Sequence, residues 1–271
     1  MMDEPQNTHN RQVPWGWILL GLAVLLTGTW LWLTPDGILG KAHAVGYSVC
    51  HQIDARSFHF GETKMPMCAR CSGLFLGALL GVIYQLTRGR KGRMPSTLLS
   101  VLFGMFALAW VVDGVNSFLM LHPTLPALSI TQNWTRLVTG TGMGLAISTV
   151  LVPIFNQTMY QDWEDASPLA GWSHLITLLV AALILIVLIL LEIPWILFIL
   201  SLLSALGVIT LLTLVYSLVI VMIFKRENTF LSIKTMVVPL LGGYCVALLQ
   251  IGAFDLARFL LTRTWDGFSL F

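Results

Sequence analysis

Three of the four cysteines in this chain, Cys50, Cys68 and Cys71, fall within one 22-residue stretch, CHQIDARSFHFGETKMPMCARC. His51, His59, Arg56 and Arg70 share it. Cys68-Ala-Arg-Cys71 is a C-x-x-C, the spacing at which two thiolates ligate one tetrahedral metal or open and close as a disulfide. Cys50 adds a third sulfur. With His51, His59 or His43 as a fourth ligand, the set suits a Cys3His site for zinc or another soft transition metal. Two other chemistries fit the same residues. In a thiol-disulfide/quinone oxidoreductase, Cys68 and Cys71 are the reactive pair and Cys50 resolves. In a transporter or structural membrane subunit, one disulfide staples the loop and leaves a spare thiol. Cys245 lies far away in an apolar run and reads as a small apolar residue.

A second polar group follows. Asp113 and Asn116 sit in one apolar run, and Asn133, Arg136 and Thr139 open the next. Ionised groups at such depth are costly and are usually paired, so Asp113 is expected to pair with Arg136. Arg56, Arg70 and Arg136 suit an anionic group such as a lipid phosphate. Asp113, Arg136, Arg56 and Arg70 are the candidate catalytic residues. Gln52, Ser57, Asn116, Asn133 and Thr139 are expected to line a substrate pocket beneath the cysteines. Glu192, Asp255 and Arg258 also lie toward that face.

The elements that must position these groups are membrane helices. The chain is 56% hydrophobic and 10% charged over 271 residues, against roughly 45–50% and about 25% in soluble domains, and its mean hydropathy is +0.82. Apolar runs of spanning length recur throughout, so the fold class is all-α, a polytopic helical transmembrane bundle. Backbone amides in lipid must be bonded within their own segment, and the alternating pattern of a transmembrane barrel is missing. Seven helices are expected: 14–34, 72–87, 97–121, 134–155, 172–192, 195–224 and 235–261. The second is short, and is expected either to begin inside the cysteine loop or to lie on protein. The first is too long for a signal-peptide core and no small-residue cleavage site follows it.

Orientation follows from RGRKGR at 88–93, which the positive-inside rule places in the cytoplasm. Lys225, Arg226 and Lys234 fall on the same side by alternation. The Cys-rich loop, 35–71, is then extracytoplasmic and the N-terminal tail, 1–13, cytoplasmic, as for a multi-pass protein of the cell inner membrane. Gly73, Gly77 and Gly81 form a small-residue strip on the second helix, and Gly140 and Gly144 another on the fourth, suited to close helix packing. Tryptophans near the span ends, among them Trp15, Trp30, Trp134 and Trp195, suit interface anchors. Membrane lipids are the expected partners, with a lipophilic substrate or quinone at the site. A net charge of +2 gives no reason to expect nucleic acid. Phosphate-loop, dinucleotide, serine-hydrolase and HExxH fingerprints are absent.

Cys50-His51-Gln52, Arg56-Ser57-Phe58, Gly61, Pro66 and Cys68-Ala-Arg-Cys-Ser-Gly73, followed by Asp113-Gly114 and Asn133…Arg136…Thr139-Gly140, resemble the signature of an uncharacterised family of prokaryotic polytopic membrane proteins, a domain of unknown function. The resemblance covers roughly 40–150. It implies a four-helix family core over 14–155 and three additional helices over 156–271, and it adds weight to the polar site without naming a reaction.

Overall fold

The computed structural model describes residues 15–120 and 131–268; the expected tail over 1–13 lies outside them. Eight helices run along the described chain. They are α1 (Trp15–Leu33), α2 (Gly37–Val49), α3 (Ala69–Leu86), α4 (Thr97–Leu119), α5 (Asn133–Met159), α6 (Trp172–Leu190), α7 (Pro194–Ile223) and α8 (Val237–Thr262). A short hairpin, β1 (His59–Phe60) with β2 (Thr63–Lys64), interrupts them. All but α2 are long and apolar enough to cross a membrane, seven among the described residues.

One expectation changes here. The loop over 35–71 holds a helix, α2, whose histidine, lysine and six small residues leave it without a clear apolar stripe. The short second span begins inside the cysteine loop, one of the two expected alternatives: α3 starts at Ala69, so that Cys68 is its N-cap and Cys71 sits in its first turn.

The core of the bundle is α3 packed on α5, and the two glycine strips meet each other. A Cβ built on Gly73 would lie 2.5 Å from the Leu137 carbonyl, and one on Gly77 2.6 Å from that of Thr141. Reciprocally, Gly140 and Gly144 face the Arg70 and Leu74 carbonyls. Without a hydrophobic force between helices in lipid, this close backbone contact is what holds them. Gly77→Val is accordingly expected to cost about 1–3 kcal/mol by overpacking, read as a lowered unfolding midpoint in detergent; an unchanged midpoint would mean that the helices do not approach this closely.

The loops sort to two ends. At one, the basic loop over 88–93 pairs with the acidic loop after α5: the Glu164 N–H donates to the Arg90 carbonyl at 2.9 Å, and Arg93 Nε donates to Asp165 Oδ1 at 2.9 Å. The same end receives the loop after α7, where the Asn228 N–H donates to the Thr158 carbonyl at 2.8 Å. The cysteines, the hairpin and the C-terminal residues up to Phe268 lie at the other, with the Phe268 N–H on the His51 carbonyl at 3.0 Å. The Trp30 indole N–H donates to the buried Asp255 at 3.0 Å.

Candidate metal centre

The chain from Cys50 to Cys68 must double back, and three local devices make it do so. A 3-10 turn over Asp54–Arg56 reverses it once. The hairpin reverses it again through Gly61 at φ +62°, a left-handed turn position that glycine takes without strain. Phe58, Met65 and Met67 are buried pegs on either side of the hairpin, and the Met65 N–H closes it on the Phe58 carbonyl at 2.9 Å.

Gln52 then locks the base. It is 1% exposed and held at φ +51°, a conformation uncommon outside glycine. Its amide donates to the His43 carbonyl at 2.9 Å and the Pro66 carbonyl at 2.7 Å, tying α2 to the strand that precedes Cys68. Arg258 of α8 adds a clamp from the far end of the sequence. It donates to the Tyr47 carbonyl at 2.8 Å and the Cys50 carbonyl at 2.6 Å, with its guanidinium 3.9 Å from the centre of the Tyr47 ring. A cation there also suits the negative end of α2.

The result is that the sulfurs of Cys50, Cys68 and Cys71 all lie within 4.8 Å of one another. All are free thiols. Cys50 Sγ accepts N–H bonds from Gln52 at 3.4 Å and Cys68 at 3.2 Å, an arrangement that favours negative sulfur. Hydrogen bonds from the Cys50 and Cys71 thiols, with a further one from His51, hold Cys68 well below the ordinary thiol range. Its place at the N-terminus of α3 acts in the same direction. Cys50 is pushed up to about 12, first by its hydrogen bond to Cys68. The N–H bonds on Cys50 and this upward shift oppose each other; the shift prevails without a cation, because a second thiolate beside Cys68 meets like charge. A divalent or soft monovalent cation would remove that repulsion. The donor set therefore fits a thiophilic metal.

The histidines separate cleanly. His51 is hydrogen-bonded to Cys68. His43 bonds the Lys64 carbonyl at 3.0 Å, and His59 turns to Asp54 at 3.1 Å, so the structure does not bring either to the sulfurs.

The polar group below is a bonded network with a different pairing from that expected. Asp113 is paired with Arg70, not Arg136: Arg70 Nε donates to its carboxylate at 2.8 Å and Nη2 to its carbonyl at 3.1 Å. Arg70 lies in the first turn of α3, and its long side chain spans to α4. With the second span starting at 72, the C-x-x-C arginine counted as a loop residue and not as a helical partner for Asp113. Thr139 also donates to Asp113, at 3.2 Å. Arg136 instead donates to Asn133 at 2.9 Å and Thr131 at 2.6 Å. Arg56 donates to the Ser117 carbonyl at 3.0 Å, Ser57 to the Ile53 carbonyl at 3.0 Å, and Asn133 to the Ala55 carbonyl at 3.3 Å. Asn116 is buried among these helices. The group stitches the cysteine loop to α4 and α5. A cavity of about 250 Å³ does exist between α4, α5 and α6, but its lining is apolar (Phe106, Leu145, Leu179, Ala182, Leu183), with Thr139 at its polar end.

Arg258 is the residue whose importance at the site the sequence concealed. Its signal was a charge inside an apolar run, toward the face of the cysteines.

An uncharacterized protein of Methanocaldococcus jannaschii is 28% identical to this chain over 123 residues, 45% of this chain and 73% of that protein. An uncharacterized protein of Methanothermobacter thermautotrophicus is 28% identical over 103 residues, 37% of this chain and 84% of that protein. No solved structure matches. Residues 50–150, which begin at the first cysteine of the trio and hold Cys68, Cys71, Asp113 and Arg136, match the family described as Predicted membrane protein (DUF2085).

Proposed function

We propose that this integral membrane protein binds a soft transition metal, zinc or one of similar thiophilicity, at Cys50, Cys68 and Cys71 on the extracytoplasmic face of the cell inner membrane. The observation that supports it most is the convergence of three thiols, two from a helix start and one brought back by a hairpin, into a single cluster in which Cys50 and Cys68 are buried and Cys71 is half-buried. Two buried arginines, Arg56 and Arg136, and the largely buried Arg70 lie nearby, with Asp113 as the carboxylate bonded to Arg70. That surplus of positive charge suits an anionic or lipophilic substrate with an anionic head, and would place the protein among membrane enzymes.

The orientation rests on RGRKGR facing the cytoplasm. A membrane-impermeant maleimide is expected to label Cys50, Cys68 or Cys71 in intact cells after chelator treatment. Labelling confined to inside-out vesicles would reverse the topology.

One observation favours a second reading. Cys68 combines a helix N-cap with a depressed pKa, as a reactive thiol does, which suits a thiol-disulfide/quinone oxidoreductase: Cys68 exchanges with a partner's thiols through a mixed disulfide, and the Cys68–Cys71 disulfide re-forms as a quinone takes two electrons and two protons to become the quinol. That reading expects Cys71→Ser to trap a mixed disulfide through Cys68 and to leave metal content unchanged. The metal reading expects no trapped species and lost metal.

A further inference from the structure

We infer that the metal position carries three thiolates and an open fourth site, with His51 serving as a hydrogen-bond donor to Cys68 and not as a ligand; this rests on the metal reading above. No described histidine or carboxylate joins the three sulfurs. The ring that comes nearest, His51, is committed elsewhere. Its Nδ1 accepts the Ile53 N–H at 2.9 Å. A nitrogen that accepts carries no proton, so in the neutral ring the proton resides on Nε2, which is left as the donor for Cys68.

Ligation through either nitrogen breaks this arrangement. Through Nδ1, the lone pair now bonded to Ile53 would go to the metal. Through Nε2, the proton would move to Nδ1 and oppose the Ile53 N–H. Either way the amide of Ile53, a residue only 6% exposed, is left without its acceptor, a costly state for a buried donor. As a donor, His51 loses nothing and stabilises the Cys68 thiolate. His43 and His59 are held by Lys64 and Asp54, and Asp113 by Arg70.

Closed shells belong to structural metal sites, whereas an open position admits an exchangeable ligand. The walls around the trio are apolar, with Trp30, Phe75, Val208 and Ile251 packed against it. The exchangeable ligand is a small anionic or soft donor from outside the chain, such as a thiolate.

Cobalt(II) loading of the purified full-length protein, with azide as the probe, tests this. The expected result is one cobalt per chain with thiolate charge-transfer absorption, visible bands that shift on azide addition, and a His51→Gln variant whose cobalt affinity stays within a few-fold and whose azide response persists. Glutamine keeps an Nε2 donor but is a poor metal ligand. Azide that leaves the spectrum unchanged, or a His51→Gln variant that loses cobalt as Cys68→Ser does, overturns the open position while leaving metal binding intact. Failure to bind cobalt, or binding that survives Cys50→Ser, Cys68→Ser and Cys71→Ser alike, overturns the metal reading and this inference with it.

Discussion

Replacing Asp113 with alanine is expected to destabilise the protein by about 3–5 kcal/mol, because it leaves the Arg70 guanidinium in a site where both partners are largely buried. The loss is larger than that of an exposed ion pair, worth about 0–1 kcal/mol, and it is coupled. Arg70→Ala with Asp113→Ala together should cost less than the sum of the two single changes, since neither charge is then stranded. Asp113→Ala with Arg136→Ala should instead show the weaker coupling of the two, because Arg136 bonds Asn133 and Thr131 and meets Asp113 only through Thr139. Unfolding of the three single and two double variants in one detergent reads both cycles. Coupling of Asp113 to Arg136 and not to Arg70 would contradict the pairing seen here. Arg70 stands between the two cysteines of the C-x-x-C, so a stability loss accompanied by weakened metal binding would locate the effect at the α3 N-terminus.

The second large effect concerns the thiols. Each of Cys50→Ser, Cys68→Ser and Cys71→Ser is expected to reduce metal affinity by well over the roughly 10–100-fold typical of losing an outer-sphere partner, since a serine hydroxyl replaces a thiolate in a three-sulfur shell. The three phenotypes should be alike, because the sulfurs act as a unit. Cys245→Ser should change nothing at the metal: that thiol is buried in α8, far along the chain, against the Leu19 carbonyl of α1. Metal content per chain after gel filtration measures all four. Retention of metal by any of the first three would remove that cysteine from the shell.

Much of this was legible in the sequence because lipid leaves few alternatives. Apolar runs bounded by Pro35, Pro194 and the RGRKGR cluster identify the seven spans to within a few residues. The glycine spacing announces α3 against α5. Cys50, Cys68 and Cys71 are marked out by type and proximity alone. What the sequence withheld depends on three-dimensional return of the chain. The hairpin that carries Cys68 back to Cys50 is only two residues per strand, too short for alternation to register. The helix α2 has no stripe that distinguishes it from a loop. The partner of Asp113 could not be read from span order, because α3 reaches across from the cysteine motif itself. Arg258 acts on backbone carbonyls, which no side-chain pattern reveals. His51, His43 and His59 are equivalent by residue type, and hydrogen bonding to Ile53, Lys64 and Asp54 is what separates them.

The central claim is that the three sulfurs hold a metal. Elemental analysis of the purified full-length protein, paired with a free-thiol count before and after a chelator under denaturing conditions, tests it most directly. The account predicts one thiophilic metal per chain, with all four cysteines reduced and three of them released to thiol reagents once the metal is removed. A protein with no stoichiometric metal and one oxidised pair among Cys50, Cys68 and Cys71 would contradict it.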